Sequence, residues 1–253
     1  MKLRVLGSSG AEFGRYNLPA FLVDKCLLLD AGTIGLAIRE VEQRNIRCIL
    51  LTHAHLDHVK GIPFFAENLY MRHKGHGVTI MSIPQVLEAL QNNLFNNILW
   101  PDFTKIPDAK NPVLKLKKIV PGRSSHICAH KVTAYRVNHS VPAVGYIVED
   151  VKGKRLLYTG DTSPTDLIWK ATDRIDCVIM EVSFPNRMEE FAIKSGHLTP
   201  RLIVKELQKM DSFPGRVLIT HQKPLYVKQI HREIEALRMK NVKVVEDGKT
   251  YEI

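Results

Sequence analysis

The stretch Leu50-Leu51-Thr52-His53-Ala54-His55-Leu56-Asp57-His58 places three imidazoles and a carboxylate within six residues, directly behind a short apolar run. Imidazole suits zinc and similar divalent ions, and a carboxylate beside it can hold a second ion or orient a water. His53 and His55 are two apart, so on extended chain they point the same way, whereas Asp57 and His58 fall where the chain turns into a helix. Without a cation, polar groups buried this densely would leave donors and acceptors unsatisfied.

Working outward, Asn138-His139-Ser140, Thr159-Gly160-Asp161-Thr162 and Ile219-Thr220-His221 each put a ligand-type residue at the end of a β-rich stretch. We assign His53, His55 and His139 to one divalent ion and Asp57, His58 and His221 to another, with Asp161 bridging. A bridging carboxylate offsets the repulsion between two cations and fixes their spacing. Zinc is the default for such nitrogen-rich ligands, and manganese or iron fits the same set. A hydroxide held between the ions, oriented by Asp57, is a nucleophile at neutral pH, and the ions also stabilise charge on an attacked phosphoryl group. Alone, Asp161 would read as a turn or helix-cap residue. His73, His76, His126, His130 and His231 read as structural histidines.

A second constellation pairs Glu181, at the end of an apolar strand, with His197 in Ser195-Gly196-His197-Leu198-Thr199-Pro200. An ionised carboxylate at that position needs a partner, and a glutamate-held imidazolium can protonate a leaving alkoxide. The plainer reading is that His197 or Thr199 caps the helix beginning near Pro200.

The chain has 253 residues, 45% of them hydrophobic, with 36 Lys plus Arg against 26 Asp plus Glu and a formal charge of +10. That balance favours an anionic partner, although the charge is spread along the chain without a basic tail. Cys26, Cys48, Cys128 and Cys177 show no CxxC spacing; the first, second and fourth read as reduced core thiols, and a cytoplasmic location is expected. The start is too short in apolar residues for a signal peptide, and no stretch approaches a membrane span.

Short β-prone runs at Leu3 to Leu6, Ala20 to Val23 and Leu27 to Leu29 predict an opening antiparallel meander. A helix is expected over Ile34 to Asn45, with Val41 on its apolar face, then a buried strand at Cys48 to Leu51. Residues 61–125 predict a strand at Val78 to Ile83, a helix at Pro84 to Phe95 and otherwise a loop-rich insertion or lid. Further strands are expected at Val132 to Val137, Val144 to Val148, Arg155 to Tyr158, Cys177 to Met180 and Val217 to Ile219, and helices at Thr199 to Met210 and Leu225 to Met239. Val242 to Val245 and Thr250 to Ile253 read as a hairpin turned by Asp247-Gly248. Two facing sheets with helices outside would bring the ligand-bearing strand ends together, so the expected fold is a single αββα sandwich spanning residues 1–253.

These motifs resemble those of the metallo-β-lactamase superfamily over nearly the whole chain, which implies that fold and a dinuclear site. Thr52 to Ile62 is similar to the signature of class II cyclic-nucleotide phosphodiesterases, with Pro63-Phe64-Phe65-Ala66 standing where that signature continues with an apolar pair and serine. The resemblance implies hydrolysis of 3′,5′-cyclic nucleotides such as cAMP or cGMP to 5′-nucleotides. His139 to Tyr146 and Gly196 to Thr199 also resemble the tRNA 3′-processing endonucleases, tRNase Z, in which the residues matching Glu181 and His197 are catalytic helpers. Those endonucleases usually carry a glycine-rich arm that grips tRNA, and no such excursion stands out here, which favours a small anionic phosphodiester over RNA. The resembling families also imply a homodimer. A carboxylic ester, lactone or thioester hydrolase and a non-catalytic nucleotide sensor are the remaining readings.

Overall fold

The first sheet is built from β1 (Lys2–Gly7), β2 (Ala20–Val23), β3 (Leu27–Leu29), β4 (Cys48–Leu50), β5 (Val78–Ser82), β6 (Leu114–Lys118) and the last strand, β14 (Thr250–Glu252). The second holds β7 (Ser124–Ile127), β8 (His130–Val137), β9 (Ala143–Glu149), β10 (Arg155–Tyr158), β11 (Cys177–Glu181), β12 (Arg216–Thr220) and β13 (Val242–Val244). The helices are α1 (Glu40–Gln43), α2 (Leu56–Val59), α3 (Gly61–Arg72), α4 (Pro84–Asn93), α5 (Glu189–Lys194), α6 (Pro200–Leu207) and α7 (Val227–Ala236). This computed structural model describes residues 1–72, 77–171 and 173–253, so His73 and His76 lie outside the described residues.

The sheet orders are β14-β1-β2-β3-β4-β5-β6 and β13-β12-β11-β10-β9-β8-β7. Each sheet is half antiparallel and half parallel: β3 to β6 run parallel in the first, as do β10 to β13 in the second. Parallel strands end at one edge of their sheet, where open α/β sheets place ligands. The chain leaves that edge through Asp30 after β3, Thr52 and His53 after β4, Asp161 after β10 and His221 after β12. β8 runs antiparallel to β9 and β9 to β10, so His139 leaves at the same edge.

One apolar layer fills the space between the sheets and a second lies between the second sheet and its helices. In β11, Cys177 and Ile179 join the first layer while Val178 and Met180 join the second with Leu202 and Ile203 of α6 and Ile230 of α7. A strand covered on both faces has no polar side to alternate with, hence its continuous apolar run. α3 and α4 bury Ile62, Phe65, Val86 and Leu87 against the first sheet. The result is the expected αββα sandwich. Among the described residues no helix is long and apolar enough to cross a membrane.

Three local expectations are corrected. The helix over Ile34 to Asn45 shrinks to α1 because Arg39 is extended (φ −63°, ψ 152°). Ile34 and Ile38 are buried by a single turn instead, and Val41 is 55% exposed. Residues 61–125 are not mainly loop: α3, β5, α4, β6 and β7 occupy much of the stretch, and β5 and β6 extend the parallel half of the first sheet. The tail is not a hairpin. β13 pairs in parallel with β12, and β14 pairs antiparallel with β1 in the other sheet. Asp247-Gly248 is the point where the chain crosses between sheets, with Gly248 at φ 84° and its N–H donating to the Val5 carbonyl at 2.8 Å.

Asp247 fixes this crossing by accepting from the Ser8 hydroxyl at 2.7 Å and the Asn17 N–H at 3.2 Å. Asp247→Ala should therefore cost about 1–3 kcal/mol in urea unfolding with the slope unchanged. An unaltered midpoint would show that the crossing does not depend on that side chain.

Candidate metal centre

Among the described residues, three groups of ligand-type atoms meet at the common edge. Glu181, His197 and His221 form one, His53, His55 and His139 a second, and Asp57, His58, Asp161 and His221 a third, with the atoms of each group within 4.8 Å of one another. The last two bring together the residues that the sequence assigns to each ion. Asp161 stands between them: its Oδ2 is 3.2 Å from His221 Nε2, 3.4 Å from His58 Nε2 and 3.9 Å from His53 Nε2. Asp57 Oδ2 lies 3.3 Å from His221 Nε2 and 4.0 Å from His58 Nε2.

The far sides of the rings are held by a second layer of groups. Asp30, fully buried, accepts from the Thr52 N–H, the Thr52 hydroxyl, the Tyr158 hydroxyl and His58 Nδ1 at 2.7–2.8 Å. Because the Thr52 proton goes to this carboxylate, its oxygen is free to accept from His53 Nδ1 at 3.0 Å. His139 Nδ1 donates to the Gly196 carbonyl at 2.8 Å. In each case Nδ1 is engaged on the far side of the ring and Nε2 faces the centre, the arrangement found where histidine holds a metal. Asp30 (φ 52°) and His221 (φ 67°) both adopt the left-handed backbone region, uncommon for residues other than glycine, and their hydrogen bonds hold them there. Glycine is needed at two contacts: a Cβ on Gly10 would lie 2.7 Å from His221 Nδ1, and one on Gly196 2.5 Å from His139 Nδ1.

The residues present fit a divalent cation. His53 Nε2 is buried without any hydrogen-bond partner. His58 Nε2 and His221 Nε2 face each other at 3.4 Å, two lone pairs that repel unless a proton or a cation lies near. Burial opposes a charge on His58, but Asp161 and Asp30 outweigh it and hold the imidazole well above its ordinary value. Burial, with the charge of His58 adding to it, pushes His53 well below its ordinary value against the opposing pull of Asp161. For Asp161, burial acts against ionisation, and His221 and His58 reverse it so that the carboxyl lies well below the usual range. The clusters are thus able to hold metal ions.

Glu181 and His197 do meet: His197 Nδ1 donates to Glu181 Oε1 at 2.8 Å and lies 3.9 Å from Asp161 Oδ2. Burial disfavours the imidazolium, yet the Glu181 charge and hydrogen bond prevail and raise the His197 value. Thr199 takes the cap position of α6 without a side-chain cap bond, so His197 is not engaged in capping. Among the histidines read as structural, His130 is buried and bonded to Asp24 at 2.8 Å. All four cysteines are free; Cys48 and Cys177 are buried as expected, while Cys26 is only half-buried, in a turn beside Cys128.

The profile described as "Beta-lactamase superfamily domain" matches residues 27–222, from β3 through the last ligand-bearing strand end. The chain belongs to the beta-lactamase superfamily. Relatives of this superfamily member include a "Probable 3′,5′-cyclic-nucleotide phosphodiesterase" of Yersinia pestis, 25% identical over 73% of this chain and 59% of the relative. Another is a "Ribonuclease Z" of Archaeoglobus fulgidus, 22% identical over 100% of this chain and 97% of the relative. The chain thus spans under two thirds of the Yersinia protein and only 32% of a zinc phosphodiesterase ELAC protein 2 homolog of Caenorhabditis elegans. The fold is similar to that of unliganded yeast PDE1, with a TM-score of 0.83 at 18% identity, covering 98% of each chain.

Asp30 and Ser183 do not stand out in the sequence as functional residues. Asp30 follows the apolar run Leu27 to Leu29 just as Asp161 follows β10, and a carboxylate at a buried strand end was the available signal. Removing it in Asp30→Ala strands four buried donors, and we expect a loss of about 3–5 kcal/mol in chemical denaturation. A variant as stable as the parent would mean that the ring-holding network contributes nothing to folding.

Proposed function

We propose that this superfamily member is a dinuclear metal-dependent phosphodiesterase that hydrolyses 3′,5′-cyclic nucleotides such as cAMP or cGMP to 5′-nucleotides. The observation that carries this reading is the Glu181–His197 pair, held 2.8 Å apart beside the ligand clusters, since breaking a P–O bond of a phosphodiester expels an alkoxide that needs a proton. Two divalent ions, zinc by default and manganese or iron as alternatives, would supply an activated water and offset charge on the phosphoryl oxygens. His53, His55 and His139 would hold one, Asp57, His58 and His221 the other, and Asp161 both.

Glu181 keeps the His197 Nδ1–H occupied, which leaves Nε2 as the atom that protonates the departing 3′-oxygen. Asp57, whose carboxyl lies below its usual range because His221 and His58 outweigh the opposing effect of burial, orients the attacking water. Beside the centre a cavity of about 460 Å³, lined in part by Arg136, Asn138, His139, Ser140 and Lys194, offers cationic groups to an anionic substrate and a volume within the range of small-ligand sites. The ribonuclease Z relatives keep RNA 3′-end cleavage as the second reading.

Zinc-loaded protein incubated with cAMP should release 5′-AMP. His197→Ala should lower kcat by about 10²–10⁴-fold, and Asp161→Ala should remove both metal and turnover. Cleavage of a precursor tRNA without turnover of cyclic nucleotide would move the assignment to the endonucleases, and tight cyclic-nucleotide binding without product would make the protein a sensor.

The reading extends to a cytoplasmic homodimer. Four free thiols suit a reducing compartment. A fixed apolar patch suits a second copy: Asn96 Oδ1 accepts from the Ile98 and Leu99 N–H groups while those side chains are 90% and 63% exposed, next to the Phe64 and Trp100 ring pair. Phe64→Glu with Ile98→Glu should shift the mass in sedimentation equilibrium from dimer to monomer. A wild-type monomer at micromolar concentration would end that part of the reading.

A further inference from the structure

His221 is the one imidazole of its cluster whose far nitrogen meets neither a carboxylate nor a carbonyl. It meets a hydroxyl: His221 Nδ1 is 2.8 Å from Ser183 Oγ. The same oxygen lies 3.0 Å from Glu181 Oε2 and 3.1 Å from His197 Nδ1, and Ser183, Glu181 and His221 are all at most 1% exposed.

The donors and acceptors can be assigned by counting protons. Ionised Glu181 only accepts, and Ser183 has one proton to give. Its possible acceptors are Glu181 Oε2, the His221 carbonyl at 3.2 Å and, in the other tautomer, His221 Nδ1, and the charged one is favoured. Ser183 Oγ must then accept from His221, which puts the His221 proton on Nδ1 and leaves Nε2 bare, 3.2 Å from Asp161 and 3.3 Å from Asp57. Glu181 Oε1 meanwhile accepts from His197 and from the Thr162 N–H at 3.2 Å. The arrangement repeats in the other sheet, where Thr52 stands between Asp30 and His53.

We propose that Ser183 is a positioning residue: its hydroxyl links Glu181 to His221, so that one buried carboxylate sets both the tautomer of a cation ligand and the orientation of His197. This rests on the metal-centre reading above. Its backbone is placed for the task, with the Ser183 N–H donating to the Leu198 carbonyl and its carbonyl accepting from Lys223. Loss of the hydroxyl frees His221 to turn or to move its proton to Nε2, where it blocks the cation.

The test is zinc affinity by competition with a chromophoric chelator, together with imidazole ¹⁵N shifts of the metal-free full chain. Ser183→Ala should weaken zinc binding by about 10–100-fold and move His221 from a pure Nδ1–H signal toward a tautomer mixture. Ser183→Thr, which keeps the hydroxyl, should restore the Nδ1–H signal and most of the affinity. If alanine at this position does not fold, Ser183→Cys, with a weaker acceptor, should fall between parent and the expected alanine value. Parent protein that binds no zinc overturns the metal-centre reading. Parent that binds, with Ser183→Ala equal to it in affinity and tautomer, overturns the role of Ser183 alone.

Discussion

The structure turns on the charge of Asp161, one buried carboxylate facing four imidazole nitrogens at 3.2–3.9 Å. Desolvating an anion is costly unless positive charge is close, and imidazole nitrogens set around it can supply that charge only by taking up protons or sharing a cation. A cation serves both needs at once, since it also separates lone pairs that otherwise face each other at 3.4 Å. The chemistry of the site and the stability of its core are therefore linked through the same few atoms.

The sandwich is what makes this convergence possible. Each sheet turns from antiparallel to parallel part-way across, so the parallel strands of both deliver their ends to one edge. The first sheet contributes Asp30 and the histidine cluster, and the second Asp161, Glu181 and His221. The tail crosses from β13 to β14 and ties the two sheets together beside this edge, where Ser9 also forms a parallel bridge with Gln222. Precision at the centre depends on long-range pairing rather than on any one loop.

Around the reactive edge, two buried carboxylates do related jobs. Asp30 holds His58 directly and His53 through Thr52, while Glu181 holds His197 directly and contacts His221 through Ser183. Placing a hydroxyl between carboxylate and imidazole fixes a tautomer without placing a full charge against the ring, which suits a ligand that must keep its lone pair.

Much of this was written locally. The spacing of His53, His55, Asp57 and His58 names its own chemistry, and the strands β8 to β12 declare themselves by length and apolar content because burial on one or both faces leaves a composition signal. Elements decided by distant partners were less legible: Val242 to Val245 and Thr250 to Ile253 look like a hairpin, since the turn residues are real, but only the prior positions of β1 and β12 decide that the two strands part. The helix expected after Ile34 failed similarly, because its apolar residues could be buried by one turn. The sequence by itself determined which side chains could bind a cation and that two facing sheets would present them. Only the tertiary structure decided which nitrogen of His53, His58, His139 and His197 points inward, because that depends on Thr52, Asp30, the Gly196 carbonyl and Glu181, whose hydrogen bonds reach across residues far apart in the chain or between neighbouring strand ends.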